Sequence, residues 1–173
     1  GVSIDRKIHL WNREKTLFKE GKRPCIVNHK GRRIGIEICY DLQFPELAAY
    51  LSRRGAELIV APTAWAEDGH GKSDGLHPHA FLAKATAYAY GICIAVANRT
   101  GLERGAYFPG QSVLVTPWGK VSRLGNRPER RTIAIPFDEI PAARRPSPVN
   151  DLQLDARVEI SPPRTSPCQP RQH

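Results

Sequence analysis

Gly35-Ile36-Glu37-Ile38-Cys39-Tyr40-Asp41-Leu42-Gln43-Phe44-Pro45-Glu46 carries two different local patterns, one on each side of a single cysteine. Before it, a basic turn beginning at Gly31 leads into a β-rich run from Ile34, which predicts a buried strand ending at Cys39. After it, Pro45 suits the first turn of a helix. Leu47, Ala48 and Leu51 share one face, and Gly55 is a stop, so a helix is predicted over Phe44 to Arg54. The apolar run Glu57 to Ala61 then reads as a second strand. Strand, helix, strand is the unit of an α/β fold, whose chemistry gathers at the C-terminal ends of its strands. A cysteine at that break is exposed at the sheet edge, where neighbouring backbone N–H groups favour a thiolate. Taken alone, a cysteine ending an apolar strand is more often an inert core residue.

Working outward, Asp68 to Pro78 is rich in Gly, His and charge and reads as a loop. Ala80, Ala83, Ala87 and Tyr90 are spaced for a helix packed on a sheet, with Gly91 as its end. Ile92 to Ala97 is a third core strand leading into Asn98. Gln111 to Thr116, the turn Pro117-Trp118-Gly119-Lys120 and Val121 to Leu124 predict a hairpin, and Arg131 to Phe137 a last strand. Eight of the fifteen prolines lie at or after Pro136. The chain therefore divides into one α/β domain over 1–140 and a Pro/Arg-rich tail over 141–173. Such a tail buries too little apolar area to offset its ordering entropy, and disorder is expected from about Arg157.

A chain of 173 residues with 40% hydrophobic content is long enough for one domain with a real core. Its apolar stretches are far shorter than the roughly 20 residues of a membrane helix, and no signal pattern opens it, so a cytoplasmic protein without membrane contact is expected. The absence of methionine and the start at Gly1 suggest a fragment or a processed chain. Four scattered cysteines with no CxxC pair suggest neither a zinc knuckle nor a disulfide framework. His70, His77 and His79 have no carboxylate or cysteine spacing beside them, so no metal site is expected and they are read as incidental loop histidines. The net charge of +9 is concentrated in residues 1–40, where ten Lys or Arg face four acids. No nucleic-acid motif accompanies this excess, which favours a solvated surface around a lysine-dependent site over nucleic-acid binding.

The string from Gly35 to Glu46 resembles the nucleophile motif of the nitrilase superfamily, the carbon–nitrogen hydrolases. The likeness is to its amidase branches, because Tyr40-Asp41 stand where nitrilases proper carry Trp-Glu. Upstream, Arg6-Lys7-Ile8-His9-Leu10 with Trp11 and Glu14 is similar to the family's lysine motif. Downstream, Gly55 to Trp65, Ala95 to Gly101 and Gln111 to Gly119 match its later strands in order, so the likeness runs from about Arg6 to Asp138. The resemblance implies part of a four-layer αββα sandwich, without its opening strand and helix layers, and no metal or other cofactor. It makes Cys39 the nucleophile of an acyl-enzyme, Lys7 and the N–H of Tyr40 the oxyanion donors, and Glu14 a supporting carboxylate. Trp11 and Trp65 would line the acyl pocket, and Gln43 stands where many members carry arginine. The family's general-base glutamate would lie upstream of the lysine motif, and no residue here matches it. The implied reaction is hydrolysis of a small amide or carbamoyl group with release of ammonia. The implied partner is a second copy, paired through the helix after the cysteine and the C-terminal segments. A truncated, non-catalytic homologue or binding subunit is the alternative.

Overall fold

The computed structural model describes residues 5–67 and 76–145. His70, most of the loop expected over 68–78, and the tail from residue 146 lie outside the described residues.

The core is a six-stranded sheet in the order β1-β2-β3-β4-β7-β8. Its strands are β1 (Cys25–His29), β2 (Arg32–Ile36), β3 (Leu58–Thr63), β4 (Cys93–Asn98), β7 (Val113–Val115) and β8 (Val121–Arg123). β2, β3 and β4 run parallel, with Ile36 level with Val60 and Thr63 level with Asn98. After the short α1 (Glu14–Leu17), which precedes the sheet, the helical crossovers that parallel neighbours need are supplied by α2 (Pro45–Arg53) and α3 (Pro78–Tyr90). Two tight turns, at Lys30-Gly31 and Arg104-Gly105, have positive φ at both central residues, as hairpins joined by mirror-image turns require. The first joins β1 to β2. The second joins β5 (Thr100–Glu103) to β6 (Ala106–Pro109) in a separate two-stranded ribbon.

Alternation along the strands sorts their side chains onto two faces. Ile59, Ala61, Ile94, Val96, Val113 and Val115 point to α2 and α3, where they form the main core with Leu47, Leu51, Ala80, Ala83 and Ala87. Gly35 is where α2 comes closest, since a Cβ there would stand 3.0 Å from Leu51 Cδ1. On the other face, Leu58 and Cys93 meet Ile140, with Ile34, Val60, Ala95, Ile135 and Phe137 half-buried around them. The described residues thus form one helical layer on one sheet, with a thinner cover on the second face.

Three expectations need correction. Residues 131–136 form no strand, although Ile133 and Ile135 alternate as strand residues do. Ile135 instead packs against the second face of the sheet, and the chain around it is mostly exposed. His77 and His79 are not loop histidines: His77 caps α3 in an extended conformation, Pro78 takes the first helical position, and both imidazoles are buried. The tail begins later than residue 141, because α4 (Ile140–Arg144) buries Ile140 and Ala143. The Arg144 guanidinium donates to the carbonyls of Gly91 and Ala56, just ahead of β4 and β3. Gly91 ends α3 in the left-handed conformation, and a Cβ on it would meet Arg144 Cγ at 2.9 Å.

Candidate active site

β2 ends at Ile36, but the Glu37 N–H still donates to Val60 O at 3.1 Å, and the chain stays extended through Ile38. Cys39 then turns abruptly into the left-handed region, at φ +52°, opening a 3-10 turn over Cys39–Gln43 that runs into α2. For a side chain with a Cβ this conformation costs about 1–3 kcal/mol and persists only where surroundings enforce it. Much of the enforcement comes from Asp41, which is buried with 1% exposure. Its Oδ2 accepts the Ile38 N–H at 2.9 Å. Its Oδ1 accepts the His9 N–H at 2.7 Å and the His9 ring Nδ1–H at 2.9 Å. The His9 ring lies flat on Phe44, centroids 3.6 Å apart.

Two residues before His9, Lys7 reaches the same place from its own segment. Its Nζ donates to Glu14 Oε2 at 2.6 Å, and its side chain is only 10% exposed. The same carboxylate oxygen accepts the Trp11 N–H at 2.7 Å, so Glu14 folds the 11–14 turn back onto the lysine. Burial opposes ionisation of Glu14, but the hydrogen bonds from Lys7 and Trp11 outweigh it and hold the carboxyl below its usual value. The Tyr40 ring, next in sequence to Cys39, lies 6.0 Å from Lys7 Nζ and 4.9 Å from the Trp11 indole. Lys7, Trp11, Glu14 and Tyr40 therefore form one cluster beside the cysteine. An open cleft of about 1180 Å³ adjoins it, lined by His9, Leu10, Phe18, Tyr40 and Phe44 with several basic residues of 6–23. Cys39 does not line that cleft.

Trp65 belongs to a second cluster. It follows β3 as Cys39 follows β2, so the parallel register puts both at the same edge of the sheet. The Trp65 N–H donates to Asn98 Oδ1 at 2.9 Å, and Asn98 Nδ2 donates to the carbonyls of Trp65 and Gly110. The indole faces the rings of His77 and His79, centroids 6.3 and 6.5 Å away. His79 Nε2 meets the Gln111 carbonyl at 3.0 Å and must donate to it, so in the neutral ring Nδ1 accepts from His77 Nδ1 at 2.7 Å. Burial pushes the His79 imidazole down to about 4, which keeps it neutral. Gln111 Oε1 is buried with no partner among the described residues.

Sequence reasoning gave no site role to Asp41, Asn98 or Glu37. Asn98 ends β4 and Asp41 lies in the turn after β2, each a polar residue following an apolar strand, and that is the signal that could have marked them. Glu37 shares with Gly35 the face of β2 packed on α2, and it is buried with Oε1 unpartnered. Burial, then the charge of Asp41, pushes its carboxyl up to about 8. The described residues contain no group of three or more His, Cys, Asp or Glu placed to hold a metal ion.

The carbon-nitrogen hydrolase family profile matches residues 1–145. This chain belongs to the carbon-nitrogen hydrolase family. An (R)-stereoselective amidase from Pseudomonas is 33% identical over 164 residues, covering 93% of this chain and 57% of its own. A nitrilase from Pyrococcus abyssi is 31% identical over 157 residues, covering 89% and 56%. Among solved structures, a nitrilase-superfamily amidase from Nesterenkonia superposes with a TM-score of 0.64 at 35% identity, over 71% of this chain and 46% of that one. That structure is of a glutamate-to-glutamine variant and carries the acetamide moiety of fluoroacetamide covalently added at the active-site cysteine. A further variant of it changes both this glutamate and a cysteine, and those two residues stand farther apart than Cys39 stands from Gly1 here. This carbon-nitrogen hydrolase chain spans about half the length of the curated relatives it matches. No described helix is long and apolar enough to cross a membrane.

Proposed function

We propose that this chain carries the nucleophile half of a thiol amidohydrolase acting on the amide or carbamoyl group of a small molecule. The observation that carries the reading is the ion pair of Lys7 and Glu14 set beside Tyr40, next to a cysteine held in a strained turn. Cys39 Sγ attacks the carbonyl carbon, and the carbonyl oxygen becomes an oxyanion stabilised by the Lys7 ammonium and the Tyr40 N–H. Collapse expels ammonia, which takes a proton as it leaves, and gives a thioester. Water activated by a base then hydrolyses it and frees the thiol. Trp11 and Trp65 line the acyl side of the site from its two clusters.

Glu14 keeps Lys7 in place, but it does not serve as the base. An ionised carboxylate already bound to an ammonium, with its pKa lowered, is a poor proton acceptor. Glu37 is turned into the core with α2. The base is therefore assigned to a glutamate outside this sequence, as the wide separation of the varied glutamate and cysteine in the Nesterenkonia amidase suggests. Free thiols at Cys25, Cys39 and Cys93 suit a reducing, cytoplasmic setting. Pairing of two copies through α2 and the C-terminal segment belongs to the same proposal.

Fluoroacetamide tests the reading, because covalent addition occurs in the Nesterenkonia amidase even with its glutamate replaced. Sulfur displaces fluoride from carbon and the thiol proton goes to solvent, so no base glutamate is consumed in the step. The expected result is one carboxamidomethyl group on Cys39, located by peptide mass spectrometry, without sustained ammonia release from acetamide. Labelling spread equally over Cys25 and Cys39 would overturn it.

A further inference from the structure

Asp41 touches both halves of the proposed machinery through different oxygens. Oδ2 takes the N–H of Ile38, the residue before the nucleophile, while Oδ1 takes two hydrogens from His9, two residues beyond Lys7. These segments are 32 residues apart in sequence, and the carboxylate that joins them is buried. Three donors converge on Asp41, whereas the Oε1 of Glu37 has no partner among the described residues. We infer that Asp41 is a positioning residue that sets the Lys7 ammonium against the Cys39 elbow, so that the nucleophile and its oxyanion cation are held by one carboxylate. This rests on the reading of Cys39 and Lys7 given above.

The atoms dictate the variant. In Asp41→Asn one oxygen becomes an NH₂ group. With the remaining oxygen kept for the two His9 donors, the NH₂ faces the Ile38 N–H, donor against donor, and the tie to the elbow is lost while side-chain volume stays the same. Charge-assisted bonds of this kind correspond to about a 10- to 100-fold change in rate when lost. His9→Phe is a milder second variant, keeping the backbone donor and the stack on Phe44 while deleting the ring hydrogen bond.

The experiment measures the rate of fluoroacetamide addition at Cys39 across pH for the wild type, Asp41→Asn, His9→Phe, Lys7→Gln and the doubles with Lys7→Gln. Circular dichroism melts accompany each protein. Lys7→Gln removes the donor that orients the carbonyl oxygen of bound fluoroacetamide, and Asp41→Asn frees the Cys39 elbow from its register with that donor, so each is expected to slow addition about 10- to 100-fold, with the double no slower than the slower single, because both act on the one placement of Lys7 against Cys39. Asp41→Asn that is folded and labels at the wild-type rate, or losses that multiply in the double, would overturn the inference. If Asp41→Asn does not fold, the His9→Phe cycle decides by the same criterion. A wild type whose Cys39 is not selectively labelled would instead sink the functional reading itself.

Discussion

The two clusters at the C-terminal edge of the sheet solve one problem, fixing polar groups beside an apolar core, in opposite ways. Around Cys39 the fixing is done by charge: Asp41 on three donors, Glu14 on Lys7 and Trp11, with Trp11 more than half exposed and an open cleft alongside. Around Trp65 it is done by neutral groups: an amide, two imidazoles and backbone carbonyls, nearly all buried. Fixed charges beside an open cleft suit electrostatic work, whereas buried neutral networks hold shape and resist proton exchange. The first cluster is built for chemistry and the second for walls.

The largest expected effect separates the clusters outright. Cys39→Ser should abolish fluoroacetamide addition while leaving the melting profile near wild type, and residual labelling would have to come from Cys25 or Cys168. Cys93 should stay unlabelled in any case, because it is fully buried and burial pushes its thiol up to about 12.

Asn98→Ala should do the reverse. It strands the Trp65 N–H and the Trp65 and Gly110 carbonyls, a loss of about 2–4 kcal/mol by urea unfolding, with Cys39 labelling changed by less than Asp41→Asn changes it. Equal damage to labelling and stability would mean the clusters are not independent.

Acid and base should strike different groups. The folded state keeps His79 neutral down to about 4, while the unfolded chain binds its proton near the ordinary value of 6.5, so stability falls as pH drops through that window. Glu37 is held protonated up to about 8 against an ordinary 4.5, so the unfolded chain releases this proton first and stability falls as pH rises between those values. Glu37→Gln should remove that decline on the alkaline side and leave the acid limb unchanged, read as melting temperature from pH 4 to pH 9. A parallel decline in the variant would place the titrating group elsewhere.

The smallest effect is on the stability contributed by Lys7 and Glu14. Glu14→Gln should lower stability by less than about 1 kcal/mol, as a part-exposed pair does, yet it should slow labelling by loosening Lys7. A large stability loss with unchanged labelling would make the pair structural.

The parallel core was legible in the sequence because apolar runs mark β2, β3 and β4 and the helices between them, α2 and α3, stop close to Gly55 and Gly91. The two mirror-image turns were harder, since Lys30-Gly31 and Arg104-Gly105 lack the Asn or Asp that usually marks them. The run near Ile133 and Ile135 alternates like a strand, yet periodicity reports only that one side is covered, and here the cover is packing without pairing. Lys7, Glu14, Trp11 and Tyr40 were within reach because they lie in two short motifs that the fold closes on each other. Asp41 served in the sequence only to tell amidase from nitrilase branches, since a carboxylate's three donors come from segments that meet only in the folded chain.

The grip of Arg144 on the Gly91 and Ala56 carbonyls fixes where the described chain ends: at the sheet edge opposite Cys39, because those residues precede parallel strands whose far ends carry the site. A fluorescent dye or a resin coupled at position 145 itself would therefore stand on the back of the molecule. Such an attachment point would let the thiol be probed on a support without screening it from reagents.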